Sequence, residues 1–274
     1  MKVAIVGCGY VGTTVAKNLR TKSDYTVTAT TTTRERVAQL EAIVHRVAVL
    51  KGNDKEAIAA LLQDQDAVML CVGAPNPDAY QESYLDTATT LVSVLKENPT
   101  VKQVIYTGTY SVYGDRQGAV VNEESPVAPA NPNGEILAET ERVLLTASSP
   151  NLKVCILRLG GIYGPGRELV KIFGRWAGTT RPGRGEDATN WVHLDDIVGG
   201  LIFALEQRLQ GVCNLVGDVS LSSSQLLDRI FEANNLPQVT WDGSPSVRPY
   251  NARVSNLKIK EAGYQFIHPE IREF

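Results

Sequence analysis

The chain has 274 residues, of which 43% are hydrophobic and 21% charged, with a net charge of −3 and a sequence pI of about 5.7. That is ordinary globular composition with enough apolar side chains for a core, and the length suits one doubly wound domain with a modest appendage. The weak acidic balance excludes a basic footprint for nucleic acid, and no stretch is long and apolar enough to span a bilayer.

Met1 to Val6 imitates a basic start followed by an apolar core, but Gly7 and Gly9 cut the run too early for a signal peptide. Val3 to Val6 reads as a strand and Val11 to Leu19 as a helix. Thr26 to Thr30 is a strand, Arg34 to Glu41 a helix, Ala48 to Leu50 a short strand and Lys55 to Leu62 a helix. Ala67 to Val72 is a continuous apolar strand, followed by a helix from Tyr84 to Lys96 and a strand from Val101 to Thr107. Leu137 to Leu145 sits in a helix and Val154 to Leu159 is a strand. Glycines and prolines then gather from Gly160 to Gly185. A helix from Asp195 to Gln207, a strand from Val212 to Val216 and a helix from Ser224 to Asn234 close the regular pattern.

Strands without in/out alternation are buried on both faces, as in parallel sheets. Their alternation with helices through short links implies right-handed crossovers. The expected fold is therefore α/β, a doubly wound parallel sheet of Rossmann type with a small C-terminal substrate lobe. The nucleotide-binding domain takes residues 1–160 with returning segments at about 187–217, and the lobe takes 161–186 and 218–274. Ligands of such sheets bind at the carboxyl ends of the strands, where the lobe is expected.

Cys8, Cys71, Cys155 and Cys213 stand alone, without the spacing of a metal site. The last three fall in apolar runs and read as buried free thiols, which suits a reducing cytoplasm. Cys8 lies in a glycine loop, where a thiol could become exposed. No metal is expected.

Gly7-Cys8-Gly9-Tyr10-Val11-Gly12 is G-x-G-x-x-G, and it follows a strand and opens a helix. Gly7 permits the tight turn, Gly9 leaves room for a pyrophosphate, and Gly12 lets the helix pack against the strand. The helix N-terminus offers N–H groups and partial positive charge to the phosphates. Cys71-Val72-Gly73 and Thr107-Gly108, at the ends of the fourth and fifth strands, complete the candidate cofactor contacts. An acidic residue at the end of the second strand would mark NAD. Here Thr31, Thr32 and Arg34 stand there instead, and no carboxylate comes before Glu35. Hydroxyls and a guanidinium can accept a 2′-phosphate, which favours NADP and leaves NAD open. The plainer alternative is that the threonines cap the next helix and Arg34 is a solvated residue.

Three further segments carry a family resemblance. Val104 to Gly114, with Thr109-Tyr110-Ser111-Val112-Tyr113-Gly114, resembles the fifth-strand segment of extended short-chain dehydrogenases. Leu157-Arg158 through Tyr163-Gly164-Pro165-Gly166-Arg167 and Trp191-Val192-His193-Leu194-Asp195-Asp196 resemble two more of their motifs. Order and spacing match the NAD-dependent epimerase/dehydratase family from Met1 to about Gly217, and Arg253 to Lys258 with Gly263-Tyr264 is similar to its closing segment. The resemblance implies a hydride-transferring enzyme on a small molecule, in which a Ser or Thr orients the substrate oxygen, a Tyr moves the proton and a Lys supports the Tyr. It also implies a homodimer.

Thr109 matches the Ser/Thr of that relay. Where the family's Tyr and Lys should follow, this chain has Asn133 and Leu137, while Glu141 still matches the downstream Glu. An amide and an alkyl chain exchange no protons near neutral pH. The departure places the chain with atypical short-chain dehydrogenases.

Tyr113 is a candidate replacement acid, although the same tyrosine occurs in relatives that keep the pair, which favours a structural role. Tyr110, Tyr163, Glu123 and Glu124 are weaker candidates. His193 reads as packed and hydrogen-bonded, and Asp195 and Asp196 as helix-start residues. Arg158, Arg167, Arg181 and Arg184 surround the glycine-rich insert, where they either clamp an anionic substrate such as a nucleotide sugar or are ordinary surface charge. Two readings stand: an NADP-dependent oxidoreductase or epimerase-like enzyme with an unorthodox acid/base, and a catalytically silent NADP-binding sensor or assembly protein.

Overall fold

The fold is that of a computed structural model, which describes residues 1–97, 100–272 and 274. Strand β1 (Lys2–Val6) leads through helix α1 (Tyr10–Arg20) to β2 (Thr26–Thr31), and a 3-10 turn at Arg34–Arg36 leads into α2 (Val37–Glu41). Then come β3 (Arg46–Val49), α3 (Lys55–Leu62), β4 (Ala67–Leu70), a π-helical turn at Gln81–Asp86, α4 (Thr87–Glu97) and β5 (Gln103–Thr109). The chain continues through a 3-10 turn at Tyr110–Tyr113 to β6 (Asp115–Val121), α5 (Pro132–Leu145), β7 (Lys153–Leu159), β8 (Gly161–Tyr163) and α6 (Leu169–Phe173). It closes with β9 (Thr180–Arg181), β10 (Ala188–Thr189), β11 (Trp191–His193), α7 (Leu194–Glu206), β12 (Gly211–Leu215), β13 (Leu221–Ser222), α8 (Ser223–Ala233), β14 (Thr240–Trp241), β15 (Asn251–Val254) and α9 (Leu257–Glu261).

The central sheet has seven strands in the order β12-β7-β5-β4-β1-β2-β3. Strand β1 pairs parallel with β2, Ile5 opposite Ala29, and with β4, Val6 opposite Leu70. The chain runs outward from β1 to β2 and β3, then returns to β4 on the other side of β1. That reversal is the switch point at which doubly wound sheets bind ligands. The expected α/β fold is the observed one.

The chain divides into two compact units. The first comprises Met1–Gly108, Glu135–Leu157 and Val198–Val212. Its strands are apolar on both faces because helices cover both: Val3, Ala4, Ile5, Val68, Met69, Leu70, Val104 and Ile105 have no accessible surface. Helix α1 buries Val11, Val15, Ala16 and Leu19 on one stripe, at the spacing that helical geometry requires. Helix α3 starts where it does because Asp54 caps it, accepting the Ala57 N–H at 3.0 Å.

The second unit comprises Thr109–Gly134, Arg158–Ile197 and Cys213–Phe274. It is held by short paired strands, β6 with β15, β8 with β11, β9 with β14 and β10 with β13. Its core gathers Tyr163, Leu169, Leu226, Leu227, Ile230 and Phe231, with aromatic rings around them. Helix α8 opens with a capping box formed by Ser222 and Gln225.

Several boundaries shift from expectation. The third strand is Arg46–Val49, not 48–50, because its pairing to Thr28–Thr31 fixes the register. The helix expected from Tyr84 begins earlier, in the π turn. Asp195 and Asp196 were expected to cap α7 and do not. The helix begins at Leu194 and its first-turn N–H, on Asp195, donates to His193 Nδ1 at 3.1 Å. The fully buried Asp196 carboxylate instead takes the N–H groups of Ile267 and His268 at 2.7 and 2.9 Å and the Tyr264 hydroxyl at 3.2 Å. It pins the C-terminal segment, and its negative charge pushes the Tyr264 phenol, already raised by burial, further up. No helix among the described residues is long and apolar enough to cross a membrane.

Candidate functional site

The glycine loop shows three different reasons for glycine. Gly7 has φ +93°, and a Cβ there would lie 2.8 Å from the Cys71 carbonyl oxygen. A Cβ on Gly12 would lie 2.2 Å from the Gly7 carbonyl oxygen. Both glycines are demanded by the fold itself. Gly9 is exposed, its φ is not left-handed, and a Cβ there would meet nothing within 4 Å. Among the described residues, no packing contact asks for glycine at that place. It stands at the N-cap of α1 without a capping side chain, where the first turn of the helix begins. Those are the features of an anion cradle.

The loop is fixed from beneath. The Gly7 N–H donates to Thr30 Oγ1 at 3.0 Å, and the Cys8 N–H to the Thr30 carbonyl at 3.1 Å. Cys8 was expected to risk exposure, yet it is 2% exposed, because its side chain turns inward toward the Ile5 carbonyl. Burial pushes its thiol up to about 11 and that of Cys71 to about 12, so both stay protonated and inert near neutral pH. All four cysteines are buried free thiols.

Beyond β2, Thr31 is buried and its hydroxyl accepts the Thr33 N–H at 3.1 Å, while Thr32 and Arg34 are exposed. The residue that reaches the glycine loop is Arg36. Its guanidinium donates to the Cys8 carbonyl at 2.6 Å and to Thr13 Oγ1 at 3.3 Å. Sequence reasoning missed it by running one helix from Arg34, whereas a 3-10 turn there redirects the third residue. Val72 and Gly73 follow β4, and a Cβ on exposed Gly73 would also meet nothing within 4 Å. Thr107 donates to the Leu70 carbonyl at 3.3 Å. Gly108 is a packing glycine, since a Cβ there would lie 2.9 Å from Oε1 of buried Glu141.

In the second unit, Thr109 closes β5 and caps the 3-10 turn Tyr110–Tyr113. Its hydroxyl accepts the Ser111 N–H at 3.2 Å and donates to Ser111 Oγ at 3.2 Å. Thr109 and Ser111 thus form a half-buried hydroxyl pair, the second member of which had not been singled out. Tyr113 is different. It has no accessible surface, its hydroxyl donates to Asn214 Oδ1 at 2.9 Å, and the Arg158 guanidinium lies 4.7 Å above its ring. Burial pushes its phenol up against the lowering effect of Arg158. Glu123 is drawn into the same network, accepting the Asn214 N–H at 2.7 Å, whereas Glu124 is exposed.

Tyr110 is buried and meets Arg248, whose guanidinium donates to the Tyr110 hydroxyl and to Ser223 Oγ, each at 3.1 Å, and lies over the Tyr250 ring. Arg248 was not among the arginines singled out from sequence. Of those, Arg158 is buried, Arg181 stacks on Trp176 at 4.2 Å, Arg167 donates to the Ile162 carbonyl and Arg184 is exposed. Tyr163 and His193 are buried and meet edge to face. On α5, Leu137 is buried at 8% exposure and Asn133 is half-buried.

Residues 3–216 match the family model of the NAD dependent epimerase/dehydratase family. Protein YeeZ of Escherichia coli (strain K12) is 35% identical over 211 residues, which span 75% of this chain and 73% of that protein. UDP-glucose 4-epimerase of Azospirillum brasilense is 28% identical over 171 residues, or 58% of this chain and 48% of the enzyme. Among solved structures, UDP-glucuronic acid 4-epimerase from Bacillus cereus, in complex with UDP-glucuronic acid and NAD, superposes with a TM-score of 0.81 at 20% identity, covering 99% of this chain and 95% of that one.

Proposed function

The chain belongs to the NAD-dependent epimerase/dehydratase family, and on that premise we propose that it is an NADP-dependent oxidoreductase or epimerase-like enzyme acting on a small nucleotide-linked or sugar-like molecule. The observation that carries the cofactor assignment is Gly9, a glycine that the protein's own packing does not require. The exposed, uncapped end of α1 supports it, since that is where a pyrophosphate takes up helix N–H groups. When bound, the dinucleotide supplies a hydride donor or acceptor. For the preference for NADP over NAD, the support is the absence of a carboxylate between Thr30 and Arg34 and the presence of Arg36 on the loop carbonyl. Arg36 would supply the charged donor for a 2′-phosphate, with Thr31, Thr32 and Arg34 around it.

For the substrate, the support is the kind of molecule with which relatives are named and solved, UDP-sugars, and the position of Arg248, whose two hydrogen bonds go to hydroxyls. A guanidinium so placed keeps its charge available to an anionic group. Thr109, with Ser111 beside it, would orient the substrate oxygen. The family's Tyr and Lys are read as replaced by Asn133 and Leu137, and Tyr113 is left out of the chemistry because its phenol is enclosed and committed to Asn214. We read the molecule as a homodimer after its family, and the buried thiols fit a reducing compartment such as the cytoplasm.

One observation favours the silent-sensor reading: Leu137 is a core residue, with no ionisable group where the relay would need one. Calorimetry with NADP and NAD, followed by assays of UDP-sugars with the bound cofactor, separates the two. Tight NADP binding with slow but measurable sugar-nucleotide turnover supports the enzyme. Binding without turnover of any sugar nucleotide supports the sensor, and failure to bind either dinucleotide overturns both.

A further inference from the structure

His193, Asp195 and His268 meet in the second unit, with one ligand atom from each lying within 4.8 Å of the others. Asp195 Oδ2 stands 3.4 Å from His193 Nδ1 and 3.0 Å from His268 Nε2. The two imidazole rings lie tilted by 38° to one another with centroids 3.8 Å apart. The chain holds only three histidines, so two of them converge on one carboxylate. We infer that these three side chains form a binding site for a divalent transition-metal ion of the zinc class, which ties the C-terminal segment to the start of α7.

The donor set selects the ion. Two imidazoles and a carboxylate suit zinc, cobalt, nickel or copper, whereas magnesium and calcium take oxygen ligands. The spacing of each imidazole from the carboxylate suits it as well. With bonds of about 2.1 Å, neighbouring ligands of a tetrahedral ion lie roughly 3.4 Å apart and those of an octahedral ion roughly 3.0 Å. His193 Nδ1 already presents a lone pair, since it accepts the Asp195 N–H at 3.1 Å. The Asp195 N–H would pass to water when the metal binds.

The backbone that carries the three ligands is fixed before any ion arrives. His193 ends β11, registered opposite Tyr163 of β8, and its ring packs edge-on against the Tyr163 ring at 5.0 Å. His268 is held by its own N–H, which donates to the fully buried Asp196 carboxylate at 2.9 Å, and by its neighbour Ile267, which does the same at 2.7 Å. Asp195 lies in the first turn of α7. Its side chain is about half exposed, at 51%, so an ion can enter from solvent and keep water in its remaining positions. Such preorganisation of ligands by supporting hydrogen bonds is what raises metal affinity.

The test is titration of the metal-free protein with cobalt(II) near neutral pH, with zinc as competitor. One equivalent of cobalt should bind with a ligand-field absorption band, and zinc should abolish the band and raise the thermal midpoint. His268→Ala and Asp195→Ala should weaken binding by about a hundredfold or more, since even outer-shell changes at such sites cost 10–100-fold. In the parent protein, cobalt should shift the ring protons of His193 and His268 and leave those of His45 unmoved, a readout that needs no variant to fold. Absence of binding by the parent, undiminished binding by His268→Ala, or shifts at His45 alone would overturn the assignment.

Discussion

In the loop between β1 and α1 the proposed cofactor cradle rests on what side chains leave out, and in the turn after β5 the proposed substrate contacts rest on what they add. Gly7, Gly9 and Gly12 all lack a Cβ, which the fold demands at two of them and the proposed pyrophosphate cradle at the third. Thr109 and Ser111 would work through hydroxyls, each already engaged by the other. A loop of missing atoms tolerates almost no replacement, because any side chain fills it. A relay of hydroxyls can be rebuilt from other residues, so its members are harder to identify from their type alone.

The sharpest way to test that contrast is within the glycine loop. Gly9→Val should keep its fold, since a Cβ there meets nothing within 4 Å, yet lose NADP affinity by roughly a hundredfold or more, a penalty of about 2.8 kcal/mol. Gly12→Ala should do the reverse. Its Cβ would sit 2.2 Å from a backbone oxygen, and overpacking of that kind costs about 1–3 kcal/mol or more. Thermal melts and calorimetry on both variants read the two effects separately. Unchanged NADP affinity in folded Gly9→Val would remove the cradle assignment.

The hydroxyl turn comes next in size. Thr109→Ala should lower turnover of a true substrate by about 10²-fold, the low end of what a positioned proton-handling group contributes. Asn133→Ala and Leu137→Ala should stay within about tenfold, because neither side chain can shuttle a proton. A large loss in Asn133→Ala with cofactor affinity intact would mean that the amide holds substrate directly.

These differences track what the sequence made legible. The first strand, read at Val3 to Val6, the helix at Lys55–Leu62 and the glycine loop are set by local rules, namely apolar runs, helical periodicity and backbone sterics, and each could be read in place. Arg36, Arg248 and Ser111 could not. Arg36 reaches Cys8 only because a 3-10 turn replaces the first turn of an α-helix, and Arg248 meets Tyr110 across 138 residues of sequence. Asp196 was visible as one of two acids at a helix start, but its partners, Tyr264, Ile267 and His268, lie about seventy residues on and carry no pattern that points back to it.

Arg36 gives the next prediction. In Arg36→Ala the ratio of NAD to NADP dissociation constants should fall by about tenfold or more, the value of one hydrogen bond from a charged donor to a phosphate, about 1.5–3 kcal/mol. Arg34→Ala should change that ratio less, since its side chain is exposed and the loop contacts belong to Arg36. Equal dissociation constants for the two cofactors in the parent protein would show that no 2′-phosphate site exists at the end of β2.

The smallest effect expected is on catalysis in Tyr113→Phe, and it decides whether this tyrosine belongs to the relay. Its ring has no accessible surface, and its hydroxyl donates to Asn214 Oδ1, while Asn214 also binds Glu123 through its backbone and the Ser255 carbonyl through its side chain. The phenylalanine variant keeps the ring under Arg158 and removes only the hydroxyl. The Asn214 oxygen is then left buried without that donor, which costs about 1–3 kcal/mol of stability. For a chain of this size each kcal/mol lowers the thermal midpoint by roughly 2–4 °C. Turnover below the melting range should remain within about twofold, because a phenol that is enclosed and raised by burial neither reaches a substrate nor releases its proton near neutral pH. The two readouts separate the roles: a lower midpoint with intact turnover makes Tyr113 a buried tie in the second unit. A loss near 10²-fold with an unchanged midpoint would return it to the chemistry as the general acid.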